Sequence, residues 1–247
     1  MGKPVFNHLV FPEKRSNIAF FWATLNTMEK KQIYSEWDSA LSEEQKNLVQ
    51  DHSYTLNFRP NEPIIKQGFS ANHILFLEEG MAKLSVSDQD RTTTFKIIGE
   101  GSFIGIMCSF VKKNFEFSAT AIKPSRVRLI DRNVFEDLIR TNGDFAVQMV
   151  NLMSLSTNKI VHDLIYLSHK NVDGALTTIL LELSGIFGRD HYQMPFSRVE
   201  LAGTIGYSKE SVINSLSGLQ KEGIISVSGK NIRILDRKRL ELISRHG

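Results

Sequence analysis

Between Tyr54 and Ile130 the hydrophobic positions fall in short runs: Ile64-Ile65, Ile74-Leu75-Phe76-Leu77, Ala82 to Val86, Thr92 to Ile98, Phe117 to Ile122 and Val127 to Ile130. The breaks between them, among them Arg59-Pro60-Asn61, Gln67-Gly68, Glu79-Gly80, Gly99-Glu100-Gly101 and Lys123-Pro124-Ser125, are built of turn-forming residues. Short runs at this regular spacing predict an all-β sandwich or barrel. A short helix precedes it, because Ser42 with Gln45 three residues on makes a capping box, and it ends before His52.

After Arg132 the period changes from two to about 3.6. Phe135, Leu138 and Ile139 share one face of a short helix, and Thr141-Asn142-Gly143 breaks it. A long helix follows from Asp144 to Ser168. In it Ala146, Val150, Met153, Thr157, Ile160, Leu164 and Leu167 advance by alternating steps of four and three. A narrow seam of this kind, free of Gly and Pro, favours pairing with a second copy of the same helix. Packing against its own domain is the other reading.

Beyond Asn171 the apolar helix Leu176 to Phe187 is closed by Gly188. Ser197-Arg198-Val199-Glu200 is a second capping box, opening a helix of about two turns that Gly206-Tyr207 ends. Ser208 caps the next helix, in which Val212, Leu216 and Leu219 make the inner face. Two short helices around a tight Gly-containing turn form a helix-turn-helix, whose second member can enter a major groove. The runs Ile224 to Val227 and Asn231 to Ile234 flank Ser228-Gly229-Lys230 as a β-hairpin wing.

With the inner face assigned, Lys209, Glu210, Ile213, Asn214 and Ser217 point outward. Lys donates to guanine, Glu accepts from cytosine, Asn bridges adenine and Ile touches a thymine methyl, so Lys209, Glu210, Ile213 and Asn214 are the candidate base readers. Arg198, Ser208, Ser211 and Lys230 are placed to meet phosphates, with free backbone amides at the helix start to help.

Composition narrows the partners. The chain has 247 residues, 41% hydrophobic and 23% charged, enough for one or two globular domains. The net charge of +3 permits a polyanionic partner without requiring one. From Asn171 onward ten Lys and Arg face eight Asp and Glu, so double-stranded DNA would be held by a few placed contacts rather than by a broad basic field. The single cysteine, Cys108, excludes an internal disulfide and any multi-cysteine metal or iron-sulfur set. There is no secretory pattern, and Ile18 to Ala23 is too short to span a bilayer, so a cytoplasmic protein without membrane contact is expected. No nucleophile-base pair or metal set supports an enzyme.

The order of these parts, with Arg59-Pro60-Asn61-Glu62-Pro63-Ile64-Ile65-Lys66-Gln67-Gly68, Ile74 to Gly80, Gly101-Ser102-Phe103-Ile104-Gly105 and Ser197 to Val212, resembles the cyclic-AMP receptor protein and FNR (CRP/FNR) family of bacterial transcription regulators over about residues 41 to 240. The resemblance implies an α+β architecture: an N-terminal β-roll of the cyclic-nucleotide-binding jelly-roll type, a long dimerisation helix and a C-terminal winged helix-turn-helix. It divides the chain into an N-terminal extension (1–40), a β-roll effector domain (41–141), the dimerisation helix (142–170) and the DNA-binding domain (171–247). It further implies a homodimer whose two recognition helices meet half-sites about 34 Å apart under the control of an effector in the roll, with RNA polymerase as a further partner. The family's base-reading positions fall on Lys209, Glu210 and Asn214. A module that binds a small molecule and acts through protein contacts is the alternative.

The effector is where the chain departs from the family. Cyclic-AMP-binding members carry Glu after the cassette glycine and Arg shortly downstream; here Gly105 is followed by Ile106, and Asn114 to Thr120 contains no arginine. Glu116 would repel a phosphate. Ile160 and Val161 replace the hydroxyl pair of the long helix. Cyclic AMP, an iron-sulfur cluster and heme (through His52 or His73) are therefore not expected, nor is any metal. The candidate pocket is Phe103, Ile104, Gly105, Ile106, Met107, Phe117, Ser118, Ala119, Thr120, Ile160 and Val161, holding an apolar or aromatic molecule or no ligand at all.

Overall fold

The computed structural model describes residues 37–88, 91–111 and 114–247. Helix α1 (Glu43–Asp51) leads into strands β1 (Ser53–Phe58), β2 (Pro63–Ile65), β3 (His73–Glu79), β4 (Met81–Asp88), β5 (Arg91–Gly99) and β6 (Ser102–Ile104). Then come the short helix α2 (Ile106–Val111), strands β7 (Ser118–Ala121) and β8 (Ser125–Asp131), and helices α3 (Arg132–Thr141) and α4 (Gly143–Ser168). The C-terminal part holds α5 (Val172–Phe187), β9 (His191–Gln193), α6 (Arg198–Ile205), α7 (Lys209–Lys221), β10 (Ile225–Ser228), β11 (Asn231–Ile234) and α8 (Arg237–His246). Strands β1 and β6, the wing strand β9 and helices α2 and α8 are not among the runs singled out in the sequence.

The roll consists of two antiparallel four-stranded sheets, ordered β1-β8-β3-β6 and β2-β7-β4-β5. The run Ile74 to Leu77 is apolar throughout because β3 is covered on both faces. Leu75 and Leu77 point into the space between the sheets with Leu84, Ile98, Ile104 and Val127. Ile74 and Phe76 point the other way, into a cluster with Trp37, Leu41, Phe135, Phe145, Met149 and Leu152. That second cluster joins the roll to the first half of α4. Trp37, placed by sequence in the extension, is buried there, while residues 1–36 lie outside the described residues.

Phe135 is fully buried at the centre of this junction, its ring 5.4 Å from that of Phe145, 5.9 Å from Phe103 and 6.0 Å from Trp37. Phe135→Ala is expected to cost about 3–5 kcal/mol of folding stability, read by denaturant unfolding. A loss under about 1 kcal/mol would mean that the junction does not depend on this ring.

The third cluster belongs to the C-terminal domain, where Leu176, Leu180, Leu183, Leu201, Ile205, Val212, Leu216, Ile224 and Ile232 come together. Ser184, Asp190 and Arg237 close its far side. Hydrogen bonds from Arg237 and Ser184 hold the Asp190 carboxyl below the usual range and fix α5 and β9 against α8.

Candidate nucleic-acid interface

Helices α6 and α7 meet at Gly206, whose φ of +78° supplies the left-handed turn that only glycine takes without strain. Tyr207 follows, its backbone amide bonded to Ala202 O at 3.0 Å. Both predicted caps form: Ser197 with Glu200 as a full capping box on α6, and the Ser208 side chain accepting from the Ser211 amide on α7. Val212, Leu216 and Leu219 are buried against α6 and α5, and the Ser215 hydroxyl donates to Asp173.

The opposite face of α7 is open. Lys209, Glu210, Ile213, Asn214 and Ser217 are all exposed, and no described part of the chain covers them. The wing is a three-stranded sheet, β10-β11-β9, with Lys230 exposed at its turn and held by the bond from the Met194 amide to Lys230 O at 2.8 Å. Of the predicted phosphate contacts, Ser208 and Ser211 share a hydroxyl hydrogen bond of 3.0 Å at the helix start. Arg198 donates from its guanidinium to Gly229 O at 3.1 Å, which braces the wing turn against α6.

The domain carrying this face is fastened to the roll. Lys83 of β4 pairs with Glu200 of α6 at 2.5 Å and also reaches Pro195 O at 3.4 Å. Burial raises the Glu200 carboxyl, but the bonds from Lys83 and Ser197 outweigh it and leave the group below its ordinary value. Ile97 packs on the C-terminal core, and Gly203 of α6 lies against Thr92 and Thr93 of β5. Lys123 sits 4.7 Å over the Phe187 ring. At the end of α4, the Tyr207 hydroxyl donates to Lys170 O. Separations in sequence from 37 residues for Tyr207 and Lys170 to 117 for Lys83 and Glu200 put these contacts beyond the reach of motif reading. Lys83→Met is expected to loosen this fastening and alter operator affinity without touching α7, a change read by gel shift; unaltered affinity would assign the pair to packing alone.

Helix α4 exposes only part of the predicted seam. Phe145, Met149 and Leu152 are buried against the roll, and the uncovered stripe runs through Val147, Val150, Thr157, Val161 and Leu164. Val150, Thr157 and Leu164 of the predicted seam lie on this stripe. Ala146, Met153 and Ile160 are half-buried beside it, and Leu167 packs on the C-terminal core. The helix has two apolar faces, one turned to the roll and one uncovered, and the four-three spacing runs along the border of the second.

The predicted pocket residues lie at several depths. Phe103 packs on Trp37 and Phe76 at 5.3 and 5.0 Å, Ile106 joins the same cluster, and Ile104 and Ala119 are fully buried in the roll. Ser118 accepts from the Gln67 amide at 3.1 Å, Thr120 pairs with Lys83 across the sheet, and Val161 is exposed on α4. The side chain of Met107 lies outside the described residues. Gly105, at φ +75°, is covered by the buried Phe115 ring: a Cβ there would stand 2.6 Å from Phe115 Cε1, with Phe117 next at 3.7 Å. An aromatic ring therefore covers this glycine. Among the described residues no grouping of His, Cys, Asp and Glu could hold a metal ion, and no helix is long and apolar enough to cross a membrane.

A β-roll joined by a long helix to a winged helix-turn-helix with an open polar recognition face defines a DNA-binding transcription regulator. Residues 55–142 match the cyclic nucleotide-binding domain family and residues 174–243 the Crp-like helix-turn-helix domain family. The chain belongs to the CRP/FNR family, whose members are transcription regulators rather than enzymes. It is 27% identical over 194 residues to electron transport regulator A of Shewanella oneidensis, covering 74% of this chain and 75% of that protein. It is 22% identical over 191 residues to a CRP-like cAMP-activated global transcriptional regulator of Mycobacterium tuberculosis, covering 75% and 85%. A CRP/FNR-family regulator structure from Eubacterium rectale shares the fold with a TM-score of 0.74 at 22% identity, over 87% of this chain and 99% of that one.

Proposed function

We propose that the protein acts as a homodimer, paired along the uncovered stripe of α4, and sets two α7 helices into successive major grooves. Lys209, Glu210, Ile213 and Asn214 read bases, and Ser208, Ser211 and Lys230 hold phosphates. It works in the cytoplasm and contacts RNA polymerase once bound. The observation that carries the reading is the open polar face of α7 in a chain whose α4 also exposes an apolar stripe, Leu164 at 61% and Val150 at 55%. The effector is a molecule other than cyclic AMP. The reading is supported by the Phe115 ring lying against Gly105 and by the stretch from Asn114 to Thr120, which offers no arginine to a cyclic phosphate.

Selection of bound duplexes from a random pool tests this. Enriched sites are expected to be pseudo-palindromes with half-sites about 10 base pairs apart, centre to centre. Enrichment of unpaired half-sites would refute the dimer, and no enrichment would refute the base readers.

A further inference from the structure

The last turns of α4 and α8 meet around a cavity of about 430 Å³. Its walls carry five side chains able to bear positive charge, His162, His169, Lys170, Arg245 and His246, and no Asp or Glu side chain. Ile165 and the Tyr166 ring supply the apolar part. Gly247 closes the wall, and its carboxyl lies against Gly174 in the first turn of α5, where a Cβ would stand 2.5 Å from the carboxyl carbon. The positive pole of that helix favours the carboxyl there.

Lys170 is the buried member of the set, 8% exposed. Its ammonium donates to Ser244 O, which also accepts from the Tyr166 hydroxyl at 3.4 Å, and it sits 4.0 Å over the Tyr166 ring. Both partners are neutral, and no carboxylate of the described residues forms an ion pair with it. A buried cation in this condition is unfavourable until an anion joins it. The side chains of His169, Arg245 and His246 are exposed and have no partner among the described residues. Other arginines of α8 are paired, Arg237 with Asp190 at 2.6 Å and Arg239 with Glu222 at 2.7 Å. Asp163, 3.8 Å from His162 Nδ1, is taken by Lys159 at 2.6 Å.

We propose that this cavity binds a small molecule carrying a phosphate group, the phosphate between Lys170 and Arg245 with His169 and His246 beside it, and the organic body against Ile165 and Tyr166. Charge selects the ligand class. Lys170 and Arg245 bring two positive charges, and a phosphate monoester carries about −1.5 to −2 at pH 7, whereas a carboxylate would leave one cation unmatched. A guanidinium also gives phosphate two parallel hydrogen bonds. The volume lies within the range of about 300–1,000 Å³ typical of small-molecule sites, so a bare phosphate would leave most of it to an organic body. No residue of the roll, of α6 or of α7 belongs to the wall, which separates this site from the effector domain and from the base readers. Its consequence rests on the regulator reading: Lys170 O accepts from the Tyr207 hydroxyl at the entry to α7, so a ligand that holds Lys170 steadies the recognition helix.

The test uses the full chain in phosphate-free buffer, titrated with phenyl phosphate and with benzoate. Calorimetry gives the affinities, and the imidazole proton signals of His169 and His246, assigned with His169→Gln and His246→Gln, give the place. Phenyl phosphate is expected to bind at least tenfold more tightly than benzoate and to move both signals. Arg245→Gln is expected to weaken phenyl phosphate about tenfold and Arg245→Lys to weaken it less. Lys170→Met is expected to match Arg245→Gln, with a thermal melt to show that it folds; Arg245 is exposed, so its variants decide the matter if Lys170→Met does not. Equal affinity for the two anions, unmoved imidazole signals, a phenyl phosphate affinity that Arg245→Gln leaves unchanged, or no binding at millimolar concentration would overturn the proposal. So would a loss of operator affinity in Arg245→Gln when the native chain binds no phenyl phosphate, which would assign these cations to the DNA backbone. Since the titration needs no DNA, its failure leaves the regulator reading standing, and failure of duplex selection leaves this site standing.

Discussion

Aspartate at both Val150 and Leu164 will leave a folded monomer that has lost most of its operator affinity. Both side chains are more than half exposed, so the change removes no core contact within the chain. In a paired seam the same positions would bring four carboxylates into an apolar contact, where an uncompensated charge is strongly unfavourable. Two linked recognition helices gain affinity because the second engagement is intramolecular, and loss of that linkage costs about 10²–10⁴-fold. Sedimentation gives the mass, and gel shift on a selected duplex gives the affinity. A double variant that stays dimeric with native affinity would show that the stripe is not the interface.

Lys209→Ala and Glu210→Ala will each weaken the selected duplex by about 1–3 kcal/mol, roughly 5- to 150-fold, while binding to unrelated DNA changes little. The side chains are exposed and make no core contact, so the loss belongs to recognition rather than folding. Glu210 also sits in the first turn of α7, where a carboxylate favours the helix by about 0.3–1 kcal/mol, so its variant needs a thermal melt beside the binding curve. Lys230→Ala provides the contrast: a phosphate contact weakens all sequences alike and lowers the salt slope by about 1. Native selectivity in the Lys209 and Glu210 variants would move the reading surface elsewhere.

The parts of the fold that follow from local periodicity were legible in the sequence. The strand runs, the two capping boxes and the inner face of α7 depend on residues within a few positions of one another, and all are found in the structure. Wing strand β9 has only the three residues His191–Gln193, too few for a pattern of its own. Helix α8 had a usable signal that went unread, Asp236 as cap with Leu240 and Ile243 three apart. The pocket was less legible for a different reason. An apolar residue type carries no mark that separates a cavity wall from a filled core: Ile104 and Ala119 are fully buried in the roll, while Phe103 packs half-buried on Trp37 and Phe76. The cationic cavity was overlooked because its walls on α4 and α8 meet only in the fold, Lys170 reaching Ser244 across 74 residues of sequence.

The bond from Tyr207 to Lys170 O places the start of the recognition helix at the very tip of α4. With 26 residues, α4 is about 39 Å long, and a tilt of roughly 5° at its far end swings the tip through about 3.4 Å, one base-pair step. Such a long arm makes the fit to DNA a question of angle, and a sub-ångström adjustment near the pivot becomes the difference between facing a base edge and facing its neighbour.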